Sequence, residues 1–337
     1  MKFKFVGIAA SLGLVVVSSL SAQGDVTTGA GGVNAPAAPI SFSPSVASGV
    51  HTDSTKILNA SHSTTVGPFI TPALSIDYKS PTFNLNLGYS VEISGARGFG
   101  TASRDFGDNT YYDNNPIVTL SGGLSKNWKM NVLLDTHFKF YNNNEAENHT
   151  EIFLNPDVEY AVNSNLSFAA GYAMHRVNNF DAILTGKSAA DDKEGSTQRS
   201  AVLPTEAGQS KTNTLHAGVL TMKNDLGFGK LVTFVRAGKR IGNSANVSGK
   251  SYRLQSELGF QSPIKALTGV VRYRFNVEDQ NTAELKYYNQ GRVIGSYALN
   301  ANWSVDVFHE LTASQNTQPG VAAEFENESY VGATFKF

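Results

Sequence analysis

The chain closes on Ser329-Tyr330-Val331-Gly332-Ala333-Thr334-Phe335-Lys336-Phe337, and the alternation in this stretch decides how the rest is read. Val331, Ala333, Phe335 and Phe337 fall at every second position, with Gly332, Thr334 and Lys336 between them. Successive side chains leave a strand on opposite faces, so one face here is apolar and the other small or polar. Two settings fit such a strand: the edge of a soluble sandwich, or a sheet with lipid on one side and water on the other.

Longer stretches upstream choose between them. Phe83, Leu85, Leu87, Tyr89, Val91 and Ile93 alternate with Asn84, Asn86, Gly88, Ser90 and Glu92. Trp128, Met130, Val132, Leu134, Phe138 and Phe140 alternate with Lys129, Asn131, Asp135, His137 and Lys139. Leu267, Gly269, Val271, Tyr273, Phe275 and Val277 alternate with Arg272, Arg274 and Asn276, and one parity holds from Ala283 to Leu299. A soluble strand averages about 5–6 residues, whereas a tilted membrane strand takes about 9–11. These runs belong to the second class.

The connections fall into two kinds. Short polar turns recur as Ser125-Lys126-Asn127-Trp128, Val162-Asn163-Ser164-Asn165-Leu166 and Leu299-Asn300-Ala301-Asn302-Trp303. Asn tolerates left-handed turn angles, and the apolar residue that follows suits a membrane interface. Further short turns fall near 79–82, 224–229 and 262–265, with longer polar connections at about 50–66, 95–115, 141–150 and 177–211. The spacing predicts strands at 39–49, 68–79, 82–94, 116–125, 128–140, 151–162, 166–176, 212–222, 230–240, 249–261, 266–278, 283–299, 303–312 and 326–337. Pro44 interrupts the first, but an up-and-down barrel with both ends on one side needs an even number, so parity includes it. The strands at 212–222 and 230–240 alternate weakly, and Pro156, which has no N–H to donate, predicts a bulge. The fold expected is all-β: a transmembrane antiparallel up-and-down β-barrel of about 14 strands, with about 12 or about 16 as the alternatives.

At the other end, Lys2 and Lys4 precede an apolar run from Val6 to Val17 and then Ser18, Ser19, Ser21 and Ala22. This is the pattern of a cleaved export signal over residues 1–22, and the run is shorter than the ~20 residues of a spanning helix. Residues 23–38 are rich in Gly, Ala and Thr and read as a flexible arm, too short for a folded plug; the barrel then occupies 39–337. With no cysteine, a disulfide scaffold, a thiolate metal site and a lipoprotein anchor are all excluded. Acids (28) and bases (27) nearly cancel, which argues against nucleic acid as a partner.

Taken together, this architecture and the terminal Phe337 resemble Gram-negative outer-membrane β-barrels of the porin-like kind. The resemblance rests on architecture and picks out no subfamily. It implies that Val331, Ala333, Phe335 and Phe337 form a C-terminal insertion signal met by the barrel-assembly machinery, with outer-membrane lipid around the barrel. Whether the chain forms a homo-oligomer stays open, because no outward face is distinctive.

Alternation also assigns the inward charges. Asp77, Glu92, Asp135, Asp157 and Glu159 point to the lumen from the first half, and Arg236, Arg253, Arg272 and Arg274 from later strands, with Glu257, Asp306 and Glu310 nearby. Chain-order closure would set acids against arginines across water, a transverse field that sorts ions. Arg253, Arg272 and Arg274 are the candidates for one selective wall, and Asp135, Asp157 and Glu159 for the other. His137, His175 and His216 are also expected to face inward, but no Ser–His or Asp–His grouping makes an enzyme signature. The connection 177–211 reads as a solvated outer loop, with an infolded constriction as the alternative. Asp105 to Asp113 reads as an acidic outer loop without the spacing of a calcium site, and Gly98-Phe99-Gly100 as part of a loop. No cofactor is expected. The function expected is passive diffusion of ions and small hydrophilic solutes, without enzymatic activity. A non-conducting structural or surface-interaction barrel and a channel for hydrophobic molecules are the alternatives.

Overall fold

The computed structural model describes residues 40–57, 62–95, 97–100, 111–141, 148–179, 213–242, 248–264, 266–280, 285–317 and 323–337. The expected export signal and arm, and most of 177–211, lie outside these residues. The strands are β1 (Ile40–Ile57), β2 (His62–Lys79), β3 (Phe83–Ser94, continued by Arg97–Gly100), β4 (Tyr111–Gly123), β5 (Trp128–Tyr141), β6 (His149–Ala161) and β7 (Leu166–Asn179). They continue as β8 (Asn213–Asp225), β9 (Gly229–Gly242), β10 (Gly249–Gln261), β11 (Leu267–Gln280), β12 (Leu285–Ala298), β13 (Trp303–Asn316) and β14 (Glu324–Lys336). Each pairs antiparallel with its neighbour in chain order, and β1 pairs with both β2 and β14, so the sheet closes on itself. Closure leaves no edge of unsatisfied backbone groups, each of which would cost several kcal/mol in lipid. Among the described residues no helix is long and apolar enough to cross a membrane.

Prolines punctuate the ladder without shifting it. Val132 pairs with Pro156, and β6 and β7 keep one register from Leu154↔Met174 to Asp157↔Gly171, so the expected bulge is absent. Pro44 does not interrupt β1 either: it lies opposite Leu74, and its carbonyl accepts the N–H of the last residue, Phe337, at 3.2 Å. A proline at the rim of the seam forfeits at most one terminal bond. The two segments of β3 hold one register on β2, and the break between them falls opposite Gly67 and Pro68. Much of what reads as connection at 50–66 and 95–115 is therefore strand, including Gly98-Phe99-Gly100 and Tyr111 to Asp113.

The seam is tight. Gly49 of β1 sits directly opposite Gly332 of β14 on the inner face, and the Phe69 ring covers both. Phe69 in turn meets Tyr330 edge-on at 5.6 Å between centroids. A Cβ on Gly49 would stand 2.2 Å from the Val331 carbonyl oxygen, so a side chain there must push the closing strands apart. Gly49→Val is expected to cost about 1–3 kcal/mol through overpacking and to lower the yield of heat-modifiable barrel on refolding. A yield equal to that of the unaltered protein would show that the seam yields freely.

The turns at one end are built by side chains. The Asn163 carbonyl accepts the N–H groups of Asn165 (2.8 Å) and Leu166 (2.9 Å), and Asn300 does the same for Asn302 and Trp303, both at 2.9 Å. Gly227 takes φ +82° in the turn after β8, where the Asp225 carboxylate accepts its N–H at 2.9 Å. Asn, Asp and Gly here supply acceptors and left-handed backbone that bulkier residues do not.

Candidate functional site: a charged inner wall

Outside, the barrel is apolar. Ile70, Leu74, Leu87, Leu134, Leu220, Val235, Leu254, Val271, Val293, Val307 and Val331 are all exposed and share the outward parity of their strands. Near the short turns the outward residues become aromatic, with Trp128 on Tyr160 and Trp303 on Phe335, each pair 4.8 Å between centroids. Inside, the residues are largely polar and charged, among them Glu92, Asp113, Asn115, His137, Arg236, Arg253, Arg272, Arg274, Arg292 and Glu310. An apolar band outside a polar interior, ringed by aromatics, inverts a soluble protein. The chain has the build of an outer-membrane β-barrel.

Its inner wall has two chemically distinct sides. On β9–β12 the inward positions carry Arg236, Arg240, Arg253, Arg272, Arg274 and Arg292 against only Glu257 and Glu278. Register stacks them: Arg236 lies opposite Arg253, and Arg272 opposite Arg292. One row runs Glu257–Arg272–Arg292–Glu310 across four strands, with Arg272 Nε 3.0 Å from Glu257 and Arg292 Nε on Glu310. In the next rows Arg274 Nε donates to Gln255 Oε1 (2.8 Å) and Arg253 Nε to Asn276 Oδ1 (2.6 Å). Like charges placed directly opposite one another destabilise a sheet. This wall keeps two such pairs.

In a ring of fourteen, β9–β12 stand half a turn from β2–β5. Those strands place Asp77, Glu92, Asp113 and Asp135 inward, with Lys129, Lys139 and His137 among them. Asp135 accepts from Asn115 Nδ2 at 2.5 Å, and His137 lies between Asp113 (Nδ1, 2.8 Å) and Asp135 (Nε2, 3.4 Å). Both imidazole nitrogens thus meet carboxylates, which braces the wall and does not aim a free nitrogen at a nucleophile. Glu151 gathers Lys139, His149 (3.3 Å) and His175 (3.1 Å) in a second knot, over which the Phe153 ring stacks on His175. Among the described residues no group of three or more His, Cys, Asp or Glu is arranged to hold a metal ion.

Each expected site residue can now be placed. Arg253, Arg272 and Arg274 face inward together on β10 and β11, and Asp135 faces them across the ring. Asp157 and Glu159 also face inward but belong to β6, nearer the short turns. Glu159 is taken up by Lys223 Nζ (2.5 Å) and Ser167 Oγ (2.7 Å), and Asp157 accepts from Asn131 Nδ2 (2.7 Å). Arg292, Asp113 and Glu151 also belong to the inner wall; the parity of the expected strands marks Arg292 and Glu151, whereas Asp113 falls in a stretch that reads as an outer loop. His216 is a correction: it is exposed on the outer face and hydrogen-bonded to the Tyr172 hydroxyl. Its neighbours explain the inversion, because Leu215 and Ala217 turn inward to pack with Ala173 and Val219. A second apolar cluster (Val270, Ile294 and Phe308, with Tyr330) lies beside the arginine row, and Arg292 sits 4.8 Å over the Phe308 ring.

No protein-family model matches this chain, and no curated protein matches it. Among solved structures it is similar to a loop-deletion mutant of OmpT, an outer membrane protein of Vibrio cholerae: 10% identity, 89% of this chain and 100% of that one, TM-score 0.46. It is also similar to an anion-selective porin from Comamonas acidovorans at 10% identity, 88% and 99% coverage and TM-score 0.44. The toluene transporter TodX of Pseudomonas putida gives 8% identity, 90% and 91% coverage and TM-score 0.46. At such identities the likeness concerns the path of the chain.

Proposed function

We propose that the protein is an outer-membrane channel for passive diffusion of ions and small hydrophilic solutes, with the arginine wall biasing which ions pass. The observation that carries this reading is the surplus of inward arginines on β9–β12, set half a turn from the acids of β2–β5. A sheet that only needed to close would not keep two arginine pairs in direct register, since their repulsion is a standing cost. These arginines are 1–7% exposed and held by neighbouring side chains, and on this reading their field still reaches ions that pass along the lumen. Fourteen strands enclose a wider interior than the eight-stranded barrels that side chains fill.

On this reading residues 1–22 direct export across the inner membrane of a Gram-negative cell, and the assembly machinery meets Val331, Ala333, Phe335 and Phe337. The protein then works as a conduit and not as an enzyme. Refolded mature protein in a planar bilayer should give stable single-channel steps. A correctly folded, heat-modifiable barrel that never conducts would leave the structural reading in its place.

A further inference from the structure

Among residues whose side chains are described, every Lys, Arg, Asp and Glu on the outward parity of the strands lies on β7–β11: Arg176, Lys239, Lys250 and Asp279. Register draws them into one band. His216 lies opposite Lys239, Lys239 opposite Lys250, and Lys250 opposite Asp279, while Arg176 stands opposite Thr214, two places along β8 from His216. Lys239 thus faces a second lysine directly across β9 and β10, an arrangement that repels. Asp279 reaches only Lys250, at 3.8 Å between exposed groups, and Lys239 has no acidic partner among the described residues.

Height matters as much as charge. Lys239 is ten residues along β9 from Gly229, beside the turn that bears Gly227. Those residues, at ~3.3 Å each and tilted ~40°, rise about 25 Å, the height of the apolar band of an outer-membrane barrel. The row therefore sits at the boundary remote from the short turns, where outer-leaflet headgroups begin. Below it lie Val235, Leu254 and Tyr252, all exposed on the same face and suited to acyl chains. Long lysine and arginine stems can lie along such a surface and lift their charges to the headgroup level.

We propose that Arg176, His216, Lys239 and Lys250 form an external docking site for the phosphorylated headgroup of an outer-leaflet glycolipid. Phosphate oxygens between Lys239 and Lys250 relieve their repulsion, Arg176 offers a planar fork to a second phosphate, and the acyl chains run down the apolar face. The site requires the long-connection end to face outward. It does not require the lumen to conduct, so a silent channel leaves it untouched.

The test uses refolded mature protein in neutral detergent micelles, titrated with bisphosphorylated lipid A and followed by native mass spectrometry. The unaltered protein should bind lipid A, and K239Q/K250Q should bind it roughly tenfold or more weakly, while K239R/K250R retains it. Dephosphorylated lipid A on the unaltered protein should be as weak as the glutamine variant, a comparison that needs no variant to fold. Inorganic phosphate should not displace the lipid. Equal affinity of the unaltered and glutamine proteins, or of phosphorylated and dephosphorylated lipid, overturns the proposal. So does displacement by phosphate alone, which would mean a site for the free anion.

Discussion

Replacing Arg253, Arg272 and Arg274 together with glutamine is expected to raise the cation-to-anion permeability ratio by roughly three- to tenfold. These three sit on adjacent strands and face the same interior, each less than a tenth exposed, so in a conducting channel their charges act jointly on an ion in transit. Reversal potential under a salt gradient reads the change directly, and the sign follows from charge: fewer fixed positive groups admit more cations. Two further features make the experiment discriminating. Glu257 loses its partner Arg272 but is 20% exposed at its side chain, so water can take it up and folding should survive. Lysine at the same three positions keeps the charge while losing the planar fork that meets Gln255 and Asn276, so R253K/R272K/R274K should keep the reversal potential of the unaltered channel. If a conducting glutamine variant leaves the reversal potential unmoved, the arginine wall is not the selective element.

The second large effect concerns stability. Arg292 and Glu310 are 1% and 3% exposed at their side chains, and Glu310 also accepts from Gln290 Nε2 at 2.8 Å. Arg272, itself paired with Glu257, stands opposite Arg292 on the other side, so Glu310 is the carboxylate that offsets Arg292. Glu310→Ala leaves a buried cation facing a like charge, and such uncompensated burial costs about 3–5 kcal/mol. Urea unfolding of the barrel in lipid should show that loss, followed by the slower electrophoretic migration of unfolded chain. The matching experiment is R292M/E310A, which removes both charges and should recover most of the stability, because replacing a whole buried pair with apolar atoms is often neutral. Phe308, Val270 and Ile294 already line that spot and can receive the methionine. Equal losses in the single and double variants would place the effect in packing and not in charge.

Alternation by itself determined the strands and their faces. The period of two fixes which side chains share a surface, so Arg253, Arg272, Arg274 and Asp135 were already inward before any strand was paired. The turn words at 125–128, 162–166 and 299–303 likewise placed three hairpins, and in the last two the Asn163 and Asn300 side chains bind the backbone only two or three residues on. Local chemistry is what one sequence carries well. What only the tertiary structure decided is who stands beside whom. Arg272 against Arg292, Asp113 against His137 and Lys239 against Lys250 depend on register, which the turns and the Gly49–Gly332 seam set jointly around the ring. His216 shows the limit most clearly: its strand alternates weakly, and it turned outward because Leu215 and Ala217 found apolar company in Ala173 on the neighbouring strand. A face is chosen by what the opposite side chains can pack against, and that partner lies far away in the chain.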